Sequence, residues 1–240
     1  MTERISIVLL GLAALTACGD RALNGQPSAE LDVPDPRKVV SFEPLFNLNC
    51  AGCHGARGQG GAAVGLAAPG YLAFAPDAAI REVIANGRAK TSMPAFAHSA
   101  GGMLSDEQVD ALVRGIRGWA IAGQPDPQAP PYQATAAGDP DRGAQVFRAH
   151  CAPCHGEDGR GGKGGSSITD GAFLALASDQ SLRTTIVAGR PDLGSPDYRS
   201  AGGSPMSAQD VSDTVAWLAA QRVAFPGQPY PTAAANGSKP

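Results

Sequence analysis

The chain has 240 residues, room for one large domain or two small ones, with 43% hydrophobic residues and a formal net charge of −3. So small a charge, with no long basic run, gives no sign of a nucleic-acid partner. Only 5% of residues are aromatic while 31 are glycine and 20 proline, which predicts loop-rich domains whose cores are completed by a large apolar cofactor.

Residues 1–17 read as an export signal. Arg4 precedes an apolar run from Ile5 to Ala17, containing Val8, Leu9, Leu10, Leu12 and Leu15. That run is too short to span a bilayer core of about 30 Å. It ends in Leu15-Thr16-Ala17-Cys18, which resembles a bacterial lipobox. The resemblance implies cleavage before Cys18, acylation of its thiol, and an exported protein lipid-anchored on the periplasmic side of a bacterial membrane. The competing reading is an ordinary secretory signal with a chance cysteine. Residues 18–36 follow as a spacer between anchor and first domain.

The first domain is expected over residues 37–122. A helix near Glu43 runs into Cys50-Ala51-Gly52-Cys53-His54, and a glycine-rich stretch follows. A short helix is predicted near Pro76–Asn86. Ser105-Asp106-Glu107-Gln108 resembles a capping box, and Val109, Leu112, Val113 and Ile116 make one apolar stripe of a closing helix. Residues 123–137, rich in proline and alanine, read as a semi-rigid linker.

The second domain is expected over 138–222 and repeats the first. Asp139 is a predicted N-cap with Pro140 at the first helical position, and the helix runs through Val146 and Phe147 into Cys151-Ala152-Pro153-Cys154-His155. His54 and His155 stand 101 residues apart. The glycines after each histidine match, as do Ile84-Ala85-Asn86-Gly87-Arg88 and Ile186-Val187-Ala188-Gly189-Arg190. A short helix near Ser178–Ala188 and a last helix capped by Ser207, carrying Val211, Val215 and Leu218, complete the repeat. Residues 223–240 form a proline-rich tail. No segment alternates with strand period over a useful length.

Five cysteines are present, and with Cys18 assigned to lipid the other four make two CxxCH pentapeptides. This spacing is the haem c attachment signal. Residues three apart on a helical turn share a face, so two thiols reach the two vinyl groups on one haem edge. The next histidine then meets the iron. A zinc site explains four sulfurs but not a histidine after each pair. A thioredoxin-like motif expects a βαβ context that is not visible.

Both repeats resemble the class I cytochrome c family. The resemblance implies an all-α chain of two tandem cytochrome c-like helical domains, each wrapped around one covalent haem c, with Cys50, Cys53, Cys151 and Cys154 as attachment points. It implies His54 and His155 as proximal iron ligands, and a methionine before the last helix on the other face. Met93, in Met93-Pro94-Ala95-Phe96, looks like that ligand loop. Its rival Met103 reads as helix-entry packing. In the second repeat Ser195 stands where Met93 would, so Met206 is taken as the ligand. The alternatives make Met206 a core residue matching Leu104, with a second iron that is five-coordinate or bound by water, or give its place to another ligand such as His150 or a lysine. His98 and His150 read as surface or supporting residues. A carbonyl marked by Pro69, with Gly171 as its second-repeat counterpart, is expected to accept a hydrogen bond from the proximal histidine. Arg57, Arg88, Arg160 and Arg190 are candidate partners of the haem propionates. Trp119 and Trp217 do not match in the repeat and read as packing residues. Two haem c groups with filled axial positions imply an electron carrier rather than a substrate-converting enzyme. Its expected partners are membrane redox complexes, oxidases or photosynthetic reaction centres. The alternatives are a dihaem peroxidase or oxidoreductase with an open iron in the second domain, or a cytochrome subunit of a larger membrane complex.

Overall fold

A computed structural model describes residues 35–120 and 127–224. The export signal, Cys18, nearly all of the spacer, the start of the linker and the tail from residue 225 lie outside the described residues. Both repeats fall within one compact unit.

Each repeat is helical. The first is built from α1 (Phe42–Asn49), α2 (Ala51–His54), α3 (Pro69–Phe74), α4 (Asp77–Asn86) and α5 (Asp106–Arg117). The second is built from α6 (Pro140–His150), α7 (Ala152–His155), α8 (Gly171–Ala175), α9 (Asp179–Ala188) and α10 (Ala208–Ala220). Among the described residues there is no strand, only the isolated bridges Ala97–Leu104 and Arg190–Ser195. No helix among them is long and apolar enough to cross a membrane.

The caps follow the sequence signals. Ser105 Oγ accepts from the Gln108 N–H at 3.3 Å while Gln108 Oε1 accepts from the Ser105 N–H at 3.0 Å. Ser207 and Asp210 repeat this box ahead of α10. Asp139 caps α6 through the N–H groups of Asp141 and Arg142. Helices α3 and α8 escaped the sequence reading, although Pro69 sits at the first helical position of one and Asp170 caps the other. Replacing Ser207 with Ala is expected to cost about 1 kcal/mol of stability by orphaning the first-turn N–H of α10. A lowered thermal midpoint with unchanged spectra checks this.

In each repeat the first helix packs across the last, α1 on α5 and α6 on α10. The crossings use the same two positions with opposite sizes. In the first, the Phe42 ring lies where a Cβ on Gly115 would be, 1.9 Å from its Cδ2. In the second, Gly143 takes the phenylalanine's place and Trp217 the glycine's. A Cβ on Gly143 would lie 2.0 Å from the Asp213 carbonyl oxygen and 2.9 Å from Trp217 Cβ. Trp217 then stacks on Phe147 at 4.2 Å between centroids. Trp119, from just beyond α5, sets its edge on Phe46 at 4.9 Å and on Phe42 at 5.0 Å. Both tryptophans are packing residues, reached from different sequence positions.

The two domains touch along α3 and α9. A Cβ on Gly70 would lie 2.9 Å from the Ala188 carbonyl, so the backbones pass closely there. Phe74 of the first domain shares a buried cluster with Val187, Tyr198 and Met206 of the second. Tyr132, in the linker, is held from both sides. Its hydroxyl accepts from Arg88 at 2.9 Å, its ring lies 5.2 Å from Phe74, and its carbonyl accepts from Gln180 at 2.7 Å. Arg183, only 3% exposed, donates twice to the Pro131 carbonyl at 2.9 and 2.7 Å.

Candidate functional site

The two CxxCH segments form the same local structure. Each first cysteine ends one helix and its carbonyl starts the next. The Cys50 carbonyl accepts from the N–H groups of Cys53 and His54 at 3.2 and 3.0 Å, and the Cys151 carbonyl from Cys154 and His155 at 3.2 and 2.9 Å. One helical turn thus carries both sulfurs of a pair. Cys50 is buried and Cys53 exposed; Cys151 is half-buried and Cys154 exposed. None of the four is in a disulfide. Burial pushes the Cys50 and Cys151 thiols up to about 11, and the neighbouring cysteine of each pair adds to this. That is opposite to the activated thiolate of a redox dithiol. Among the described residues no three His, Cys, Asp or Glu side chains are placed to share a metal ion, which leaves the zinc reading without a geometry.

The chain returns after each histidine in a glycine loop that grips the imidazole. His54 Nδ1 lies 2.8 Å from the Val64 carbonyl oxygen, and His155 Nδ1 lies 2.7 Å from that of Ser166. A carbonyl only accepts, so the proton sits on Nδ1 and Nε2 keeps its lone pair for iron. Burial holds His54 below the usual imidazole range against the opposing pull of the Val64 bond, and the nearby Arg190 charge acts in the same direction as burial. The neutral form is the one a metal ligand needs. Gly60 and Gly161 bend these loops at φ 112° and 109°, a region L side chains avoid. A Cβ on Gly165 would lie 2.7 Å from His155 Nδ1. Free thiol pairs, oriented imidazoles and loops closed by glycine fit a thioether-bound haem.

The acceptor carbonyl differs from the expected one. Pro69 lies five residues past Val64 and starts α3, and Gly171 likewise starts α8. The bond falls at the loop's inner turn, before the helix. The arginines are dispersed as well. Arg57 and Arg160 are exposed, and Arg160 pairs with Asp158 at 3.3 Å. Arg88 holds Tyr132. Arg190 pairs with Asp192 at 2.7 Å and donates to the Gly61 carbonyl at 2.6 Å, which lays this loop of domain 2 on the His54 loop of domain 1.

Met93 is half-buried in a loop closed by its own backbone. The Arg88 N–H donates to the Met93 carbonyl at 3.0 Å, the Thr91 hydroxyl to the Arg88 carbonyl at 2.8 Å, and the Met93 N–H to Thr91 Oγ1 at 3.1 Å. Met103 is 84% exposed, so it does not pack at the entry of α5. Met206 is 3% exposed, inside the cluster with Val146, Tyr198 and Val211. His98 is exposed in the short turn His98–Ala100. His150 Nδ1 is bound to the Ala201 carbonyl at 2.7 Å.

The all-helical fold and its two matching histidine-loop sites define a c-type cytochrome with two haem domains. The chain belongs to the family described as cytochrome c oxidase, cbb3-type, subunit III, whose family model matches residues 38–114 and 138–218. Membership in two segments gives it two covalently bound haem c groups. It is 28% identical over 208 residues to the cytochrome bc1 complex cytochrome c subunit of Mycobacterium bovis, covering 80% of this chain and 70% of that one. It is 30% identical over 155 residues to the cbb3-type cytochrome c oxidase subunit FixP of Azorhizobium caulinodans, covering 60% of this chain and 48% of that one. Over 101 residues it is 37% identical to the cbb3-type subunit CcoP of Rhodobacter capsulatus, covering 41% of this chain and 30% of that one. The chain thus spans less than half the length of either oxidase subunit.

Proposed function

We propose that this protein is an exported, lipid-anchored dihaem cytochrome that passes electrons one at a time between membrane redox complexes. The observation that carries the reading is the repeated turn in which two free cysteines precede a histidine whose Nδ1 is held by a loop carbonyl. Cys50 and Cys53 would hold one haem and Cys151 and Cys154 the other, with His54 and His155 presenting Nε2 to iron and Met93 completing the first site. Haem iron held in this way supplies reversible one-electron chemistry. The protein's own part is to fix each imidazole through a loop carbonyl, to keep His54 neutral by burial, and to hold the two domains together, in part through Tyr132. We place the domains at residues 37–122 and 138–222, joined by the linker 123–137 and tethered through a spacer 18–36. The relatives named above are subunits of bc1 and cbb3 complexes, which favours a chain that works docked to such a complex on the periplasmic side of the membrane.

The mature protein, produced with haem maturation, is expected to carry two porphyrin masses. It should be reduced by a quinol-oxidising complex and reoxidised by a terminal oxidase. A colourless protein, or a coloured one that neither complex reduces nor oxidises, would sink the proposal. Release of a Cys18→Ala variant from the membrane fraction checks the anchor in the same preparation.

A further inference from the structure

We infer that iron in domain 2 is held by protein on the His155 side alone, with its other coordination position open to a small neutral ligand of the carbon monoxide class, and that Met206 is a packing residue. This rests on the haem reading above. The two ligand loops can be matched through the backbone bond that closes each, although the Ser195 N–H returns to the Arg190 carbonyl at 3.0 Å where the Met93 N–H donates to Thr91 Oγ1 at 3.1 Å. The Arg88 N–H donates to Met93 and the Arg190 N–H to Ser195, each at 3.0 Å. Gly87 and Gly189 precede them at φ 69° and 70°, and a Cβ on either would strike the following loop at Pro94 or Pro196. Ser195 therefore stands in the place of Met93. Its hydroxyl is one bond shorter than the thioether arm, and a neutral hydroxyl is a poor ligand for haem iron.

Met206 matches a different residue. Its N–H donates to the Tyr198 carbonyl at 2.8 Å, as the Leu104 N–H donates to Phe96 at 2.8 Å. Each is followed at once by the serine that caps the last helix, Ser207 or Ser105. Leu104 and Met206 are 6% and 3% exposed. The first domain fills this place with a side chain that cannot ligate a metal, and supplies its sulfur from the loop. Other donors in residues 138–222 are few. His150 is committed to the Ala201 carbonyl. Lys163 lies in the loop of His155 itself, where the Gly162 N–H donates to Gly165 at 2.9 Å. The segment has no other methionine, histidine or lysine besides the proximal His155.

Carbon monoxide titration of the ferrous holoprotein tests this, after mass measurement has confirmed two porphyrins. We expect one carbon monoxide per chain. Met206→Leu should leave both this stoichiometry and the ferric spectrum unchanged. Met93→Ala should abolish the far-red band of iron–thioether ligation, and Ser195→Met should add a second such band and abolish carbon monoxide binding. Absence of binding to the wild type, or loss of a low-spin signal in Met206→Leu, overturns the inference even if Ser195→Met does not fold. A mass lacking the second porphyrin would instead end the haem reading, and this inference with it.

Discussion

Replacing Cys151 and Cys154 together with alanine is expected to yield a chain with one covalent porphyrin, whose visible absorbance per protein falls to roughly half that of the wild type. The effect should extend to the fold of domain 2. Its apolar contacts are divided between two small clusters, one around Leu174, Leu182, Val215 and Leu218 and the other around Val146, Val187 and Met206. The glycine loop from Gly156 to Gly165 contributes no apolar side chain to either. A covalently held porphyrin stays on the chain when it unfolds and stabilises the fold through the apolar surface it buries there, so losing it removes that burial. The expected readout is a drop in helical circular dichroism, confined to part of the signal because domain 1 keeps Cys50 and Cys53. Retention of two porphyrins would mean that the second attachment point lies elsewhere.

The second large effect is expected at the helix crossings. Gly143→Ala puts a methyl group on the backbone carbonyl of Asp213. Backbone cannot rotate aside, so the loss should be about 3 kcal/mol or more, beyond ordinary overpacking. Gly115→Ala in the other domain strikes first the Phe42 ring, a side chain rather than backbone. It should cost about 1–3 kcal/mol, and Phe42→Ala should recover part of that loss in the double variant, although each change alone destabilises. Denaturant unfolding of the four proteins gives the coupling energy directly. Additive losses would show that the ring and the glycine are not in competition.

Much of this was legible in the sequence because the signals are local. A cysteine pair with its histidine, a serine three residues before a glutamine, and a proline after an aspartate each act within one turn. What was hidden depends on two distant segments at once. The exchange of large and small residues between Phe42–Gly115 and Gly143–Trp217 becomes visible only when the crossing is seen, since neither pair is conspicuous alone. The arginine clamps behave similarly. Arg117 pairs with Asp77 and bonds the Leu72 carbonyl, while Arg222 pairs with Asp179 and bonds the Ala177 carbonyl. They serve matching places, yet Arg222 lies about one helical turn later in its repeat, so alignment by position does not pair them. The histidine acceptors Val64 and Ser166 carry no side-chain signature, because a carbonyl belongs to every residue. The placement of Met206 turned on counting along the chain, where nearness to the last helix suggested a ligand. Its backbone bond to Tyr198 also matches that of Leu104 to Phe96, which is the ground for the inference that it packs rather than ligates.

Tyr132 is gripped by Arg88 and Phe74 on one side and by Gln180 on the other. A joint clasped in this way fixes the spacing of the two halves. Electron exchange between two haems carried on halves so held is expected to be first order and indifferent to protein concentration or solvent viscosity. A Tyr132→Ala chain loses this clasp but keeps the α3–α9 contact and the Arg190–Gly61 bond, so its internal exchange rate is expected to stay insensitive to added glycerol.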